Sequence, residues 1–128
     1  MSLAVLFQFL KGNKQIVDVE QLREYCISKE GAEEGFPFGP DTLVFKVNDK
    51  ILLLVSLRKQ PLQFNVKCDS EKALELREEY PCIVPGYHMN KKYWNTVIVD
   101  GSLTVKQLQG LITDSYNLVA LGKQKAKK

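Results

Sequence analysis

The sequence predicts one α+β domain in which an antiparallel sheet carries helices on one face. Its 128 residues suit a single compact domain. Runs of alternating apolar residues separated by turn signals indicate strands, and three other segments place apolar residues at helical spacing. The predicted order is helix, three strands, helix, one or two strands, helix. This domain occupies residues 18–122, between an apolar N-terminal extension at 1–17 and a basic tail at 123–128.

The helices are predicted from their capping residues and apolar faces. Asp18 with Gln21, and Thr104 with Gln107, form capping boxes for the first and last helix. Asp69 is the expected N-cap of the middle helix, which Pro81 ends. The buried faces are Val19, Leu22 and Cys26 in the first helix, Ala73, Leu76 and Tyr80 in the second, and Leu108, Leu111, Ile112, Ser115 and Val119 in the last.

The first three strands are predicted as an antiparallel meander at about 43–47, 51–57 and 62–67. Asn48 and Asp49 supply a tight turn between the first two. The second strand is almost continuously apolar, which indicates that both of its faces are covered. Glycines and prolines predict a loop at 30–40, with Phe36 and Phe38 filling an edge of the core. A further strand is expected at 93–99.

The composition argues against two types of protein: one that binds nucleic acid through its overall charge, and one that is held together by disulfides. The net charge is +3, but four lysines lie in the last six residues, and the remainder has 14 basic against 15 acidic residues. Whole-chain charge therefore gives no evidence for nucleic-acid binding. Three cysteines without a C-x-x-C pair indicate buried thiols in a reducing cytoplasm.

No catalytic or metal centre is predicted. His88 is the only histidine, no acid lies near it in the sequence, and there is no nucleophile motif. One histidine with scattered cysteines falls short of a zinc site. We therefore expect a protein that is not an enzyme and needs no cofactor.

The apolar segment 3–10 is too short to span a bilayer, and no basic region precedes it. Neither a membrane association nor a signal peptide is therefore expected. Because a fully exposed apolar segment promotes aggregation, we expect it to pack on the sheet of its own chain or on a second copy. The second alternative would give a homodimer.

Three stretches of the sequence resemble the signature blocks of the MmcQ/YjbR family: 34–46 (EGFPFGPDTLVFK), 61–69 (PLQFNVKCD) and 78–96 (EEYPCIVPGYHMNKKYWNT). The resemblance runs from about residue 18 to 119. It implies a frataxin/CyaY-like fold in a bacterial cytoplasmic protein that binds DNA. Residues 1–17 have no counterpart in the typical member, and the family commonly has a glycine where Cys82 stands. Iron binding of the frataxin kind is not expected, because Arg23 interrupts the acids of the first helix.

Local charge gives the best functional lead. Between residues 42 and 68 five cations face one acid, and no acid lies between Glu79 and Asp100. A basic hairpin surface of this kind can bind phosphates. We predict phosphate contacts from Lys46, Arg58, Lys59, Lys67, Lys91 and Lys92, with Asn65, Tyr87, His88 and Asn90 lining the same surface.

The same residues could instead have purely structural roles. Lysines at hairpin tips also maintain solubility, and asparagines also satisfy backbone groups in turns. Trp94 is expected in the core rather than facing a ligand. The alternative function is a module that binds a protein or a small anionic ligand, with no role in nucleic-acid binding.

Overall fold

The computed structural model describes residues 18–121, and the predictions for 1–17 and 122–128, including the homodimer, lie outside them. Its elements in chain order are α1 (Val19–Ile27), β1 (Glu33–Gly35), β2 (Thr42–Val47), β3 (Lys50–Ser56), β4 (Gln63–Lys67), α2 (Ser70–Glu79), β5 (Ile83–Pro85), β6 (Trp94–Ile98) and α3 (Val105–Leu121). The strands form one antiparallel sheet in the order β1-β2-β3-β4-β6-β5. The predicted α+β class is confirmed.

The predicted helix starts are confirmed by their hydrogen bonds. The Asp18 carboxylate accepts from the Gln21 amide at 2.9 Å. In the Thr104 box the Gln107 side chain accepts from the Thr104 amide at 2.8 Å, and the Thr104 hydroxyl accepts from the Gln107 amide at 3.1 Å. These bonds satisfy amides that have no partner inside the helix.

The main core lies between the helices and one face of the sheet. Leu22 and Cys26 of α1, Leu76 of α2 and Ile112 of α3 pack there with sheet residues such as Phe45. A second, smaller cluster consists of Val44, Leu54 and Trp94, with Ile51 and Met89 packed against it, and contains no helical residue. The prediction that helices cover one face is therefore confirmed.

Strand β1 corrects the predicted loop at 30–40. Glu34 pairs with Phe45 in the β1–β2 ladder, and its carboxylate accepts two hydrogen bonds from Arg23 of α1, each 2.7 Å long. This three-residue edge strand consists of two glutamates and a glycine, so it has no alternating apolar pattern from which a strand could be predicted. It is held by backbone pairing with β2. Phe36 and Phe38 are also not in the core: they are 52% and 63% exposed.

A bulge in β3 determines which of its side chains lie on the face of the sheet opposite the helices. Phe45 pairs with Leu53 but Lys46 pairs with Ile51, so Leu52 is the extra residue. Leu52 and Leu53 both pack in the main core, whereas Ile51 and Leu54 belong to the smaller cluster. The prediction that both faces of this strand are covered is confirmed only in part: the helices cover one face, Ile51 and Leu54 of the other face pack in the smaller cluster, and Leu57 is 40% exposed.

Candidate binding site on the open face of the sheet

The open face is the side of the sheet opposite the helices. By strand alternation it carries Glu33 of β1, Thr42, Val44 and Lys46 of β2, Ile51, Leu54 and Ser56 of β3, Gln63, Asn65 and Lys67 of β4, and Trp94 and Thr96 of β6. Gln63, Asn65 and Lys67 therefore point away from the main core, whereas Phe64 and Val66 point into it.

A cavity of about 570 Å³ lies on the open face. Strand residues form its floor. Its sides are formed by Phe38, by Lys59 and by the tip of the 86–93 loop, our name for the whole connection between β5 and β6. The lining residues are Phe38, Thr42, Ile51, Leu54, Ser56, Lys59, Gln63, Phe64, Asn65, Tyr87, His88, Met89 and Thr96. The volume falls within the range of about 300–1,000 Å³ that is usual for ligand pockets.

Hydrogen bonds to two strands hold the first part of the 86–93 loop over the sheet. Asn65 and Thr96 lie opposite each other in β4 and β6. The Thr96 hydroxyl donates to the Asn65 side chain at 2.5 Å and accepts from the Tyr87 amide at 3.0 Å. The side-chain amide of Asn65 donates to the Tyr87 carbonyl at 3.3 Å. Asn65 therefore positions Tyr87 in addition to lining the cavity.

The second part of the loop is attached to α2. Arg77 of α2 donates to the side chain of buried Asn95 at 2.7 Å and also to the Lys91 carbonyl. Asn95 in turn donates to the Ala73 carbonyl at 3.3 Å. The Lys91 ammonium donates to the Gly86 carbonyl at 3.0 Å, across the base of the loop.

The side chains at the loop tip face outward into the cavity and solvent. Tyr87 is 58% exposed, and its ring centroid lies 4.0 Å from that of His88. The Lys59 ammonium lies 5.2 Å from the centroid of the Tyr87 ring. His88 has a φ of 61°, a conformation uncommon for a residue with a side chain. An aromatic pair and a cation therefore line one side of the cavity.

The structure brings four of the ten predicted site residues together around this cavity: Lys59, Asn65, Tyr87 and His88. Lys46 and Lys67 share the open face but do not line the cavity. Because β2 and β4 both run antiparallel to β3, Lys46 and Lys67, which are near the ends of their strands, lie beside the start of β3. Lys59 follows the end of β3. Cations therefore occupy both ends of the open face.

The other four predicted residues make contacts of their own. Arg58 forms an exposed ion pair with Asp41, with nitrogen and oxygen 3.6 Å apart. Lys91 bonds to Gly86, as described above. The Lys92 ammonium lies 5.6 Å from the Tyr93 ring centroid, and Asn90 accepts from the Lys92 amide at 2.9 Å, which is a turn contact.

The sequence did not identify several lining residues. Phe38 was assigned to the core, and Thr42, Ser56 and Met89 carried no signal for a site. Gln63 alternates in register with Asn65, so the strand pattern could have placed it on the same surface. Trp94 is buried at 9% exposure, as predicted, although it belongs to the smaller cluster and not to the main core.

The cysteines lie in the main core, on the opposite side of the sheet from the cavity. Burial raises the pKa of Cys26 to about 12 and that of Cys68 to about 11, and it also raises the pKa of Cys82. These thiols are protonated at neutral pH and are therefore poor nucleophiles. Within residues 18–121 no group of three or more His, Cys, Asp or Glu side chains is arranged to hold a metal ion. No helix in that range is long and apolar enough to cross a membrane.

Comparison with known proteins places these features in a family. The YjbR family model matches residues 27–118. The Escherichia coli O157:H7 protein YbdF is 47% identical over 88 residues, which cover 68% of this chain and 71% of YbdF. YjbR of Escherichia coli K12 is 32% identical over 98 residues, covering 77% of this chain and 83% of YjbR. Both relatives are described as uncharacterised, and neither name states an enzymatic activity.

Solved structures of two bacterial proteins have the same fold as this chain. A Deinococcus radiodurans protein with a DUF419 domain superimposes with a TM-score of 0.79 at 39% identity, covering 84% of this chain and 81% of the other. A Pseudomonas syringae protein gives a TM-score of 0.69 at 30% identity, covering 80% and 98%. The family match spans most of the chain and includes both the sheet and the 86–93 loop, so the chain belongs to the YjbR family.

Proposed function

We propose that this protein binds DNA through the open face of its sheet and catalyses no reaction. The observation that carries the proposal is the convergence of Lys59, Asn65, Tyr87 and His88, from separate parts of the sequence, around one cavity. Aromatic rings beside cations on an open sheet can stack on bases while the amines meet phosphates.

The distribution of charge supports the same surface. Lys46 and Lys67 lie at one end of the open face and Lys59 at the other, and the seven residues of β3 between them extend about 20 Å. The acids of α2, among them Glu71 and Glu75, are on the helical side of the sheet. A polyanion would therefore approach the open face in preference to the helices.

The test is fluorescence anisotropy with labelled DNA across a range of salt concentrations. We expect Lys59→Ala/Lys67→Ala to weaken binding and to lower the log–log salt slope by about 1.4 for single strands, since each lost phosphate contact removes about 0.7. The control is Lys72→Ala/Lys106→Ala, which removes two exposed lysines from the helices.

Lys91 is a poor target for this test, because its bond to Gly86 supports the 86–93 loop. Chains that end at residue 122 must also be measured, since the four tail lysines alone attract DNA. Equal losses in the two lysine pairs, or binding that disappears with the tail, would contradict the proposal.

A second candidate function is the binding of a small anionic ligand, and the size and mainly apolar lining of the cavity favour it. A ligand that binds the folded state raises the melting temperature according to its concentration and affinity. A thermal-shift screen of anionic compounds should then give saturable hits that Lys59→Ala weakens. Absence of such hits would count against this candidate.

The cellular setting and the finer fold relationship belong to the same proposal. Free, buried Cys26, Cys68 and Cys82 support a reducing compartment such as the cytoplasm. The frataxin/CyaY-like arrangement implied by the sequence resemblance stays a prediction.

A further inference from the structure

We propose, resting on the proposed function, that the cavity on the open face receives one unpaired nucleobase, stacked against Phe38 or the Tyr87–His88 pair. The recognised chemistry is a flat aromatic ring that carries a phosphate. Such a group can come from single-stranded DNA or from a free nucleotide.

The first support is the exposure of the aromatic side chains. Phe38 and Tyr87 are 63% and 58% exposed, yet both line the same cavity from different loops. Aromatic rings usually contribute to stability by being buried. Rings left exposed around a cavity are available to stack on a ligand instead, and stacking tolerates any base because every base has a π-face.

The second support is unused hydrogen-bonding capacity in the lining. Within residues 18–121 neither the Thr42 hydroxyl nor the side-chain amide of Gln63 forms a hydrogen bond with another residue. A glutamine amide offers both donors and an acceptor, which suits the edge of a base. Asn65, in contrast, is already bonded to Tyr87 and Thr96.

The third support is the stacking itself, because a base must be unpaired to stack on an aromatic side chain at the cavity wall. In a duplex both faces of each base are covered by neighbouring base pairs, so an aromatic side chain at a cavity wall cannot reach them without extruding the base. A single strand presents its bases without that cost. Lys59, at the side of the cavity, would meet the phosphate of the inserted nucleotide.

The chain provides a matched pair of variants to test this inference. Phe36 and Phe38 lie in the same loop and are both exposed, but only Phe38 lines the cavity. The probes are a labelled single-stranded oligonucleotide, the duplex of the same sequence and an unlabelled mononucleotide as competitor. Because Phe36 and Phe38 are exposed, both alanine variants should keep the melting temperature of the parent chain.

We expect the single strand to bind more tightly than the duplex at the same salt concentration. Phe38→Ala should weaken single-strand binding about 5- to 140-fold, the range found for loss of one base stack, while Phe36→Ala should change it less than about twofold. A competitor mononucleotide that depends on Phe38 and binds as tightly as the oligonucleotide would assign the site to free nucleotides. A much weaker mononucleotide would assign it to single strands.

Equal losses in Phe36→Ala and Phe38→Ala, or equal affinity for duplex and single strand, would overturn the inference and leave DNA binding by the open face in place. If neither the single strand nor the duplex binds, the proposed function itself is overturned. Mononucleotide binding that depends on Phe38 would, in that case, retain the base-binding cavity without a role in DNA binding.

Discussion

At the residue scale, Ser115 is a fully buried hydroxyl with two structural hydrogen bonds. It donates to the carbonyl of Leu52, the extra residue of the β3 bulge, at 2.6 Å. It also accepts from the amide of Lys67 at the end of β4, at 2.9 Å. Both backbone groups lie where the regular strand pairing is interrupted, so Ser115 connects α3 to the two central strands.

Ser115→Ala should lower the free energy of unfolding by about 1–3 kcal/mol, because it leaves buried backbone groups without a partner. Urea denaturation followed by circular dichroism measures this loss. Asp114→Ala, at the exposed neighbouring position of the same helix, should change stability by only about 0.5 kcal/mol. A loss no larger than that control would show that the two bonds contribute little.

Individual residues also show what could be predicted from the sequence and what could not. The helical spacing placed Ser115 in a buried stripe, but its partners depend on a bulge that has no sequence signature. The apolar character of Phe38 suggested the core, whereas its exposure depends on how the β1–β2 connection leaves the edge of the sheet. Lys91 was correctly placed in a basic loop, but its bond to Gly86 depends on the fold of that loop.

At the scale of elements, the 86–93 loop depends on the close approach of Gly86 to the start of β6. The Gly86 amide donates to the Trp94 carbonyl at 2.8 Å. A Cβ added at Gly86 would lie 2.8 Å from both the Cβ and the carbonyl oxygen of Trp94. Since the obstacle includes the backbone, a side-chain rotation cannot relieve it.

Gly86→Ala should therefore destabilise the protein by about 1–3 kcal/mol and displace the loop. Urea denaturation measures the first effect, and amide shifts of residues 86–93 in NMR spectra measure the second. Gly110→Ala is the control, because nothing lies within 4 Å of a Cβ there and alanine is preferred in a helix by up to about 1 kcal/mol. If the two variants were equally stable, the close approach would not matter.

Elements with strong local signals were predicted well. Capping residues located the helix starts, and the alternating pattern together with the Asn48-Asp49 turn located β2 and β3. Both turn residues have positive φ, as a two-residue type I′ hairpin turn requires. The edge strands were the difficult part: β1 was predicted as loop, and β5 was left open as an optional strand. Three-residue strands are formed by pairing with a neighbour, which local sequence does not encode.

At the scale of the whole molecule, the sheet separates two chemically different sides. The helical side contains the main core, the protonated thiols and most acids, whereas the open side contains the cavity, exposed aromatic rings and lysines at both ends. The sequence revealed the charge segregation along the chain. It could not reveal the cavity, whose walls come from three separate connections that only the tertiary structure brings together.

The most direct test of the central claim, that the open face is the binding surface, is an NMR titration of the ¹⁵N-labelled full chain with a single-stranded oligonucleotide. We expect saturable amide shifts concentrated in β3, β4, β6 and the 86–93 loop, which weaken as salt is added. Shifts confined to α2, α3 or the residues after 121, or no saturable shifts at all, would contradict the claim.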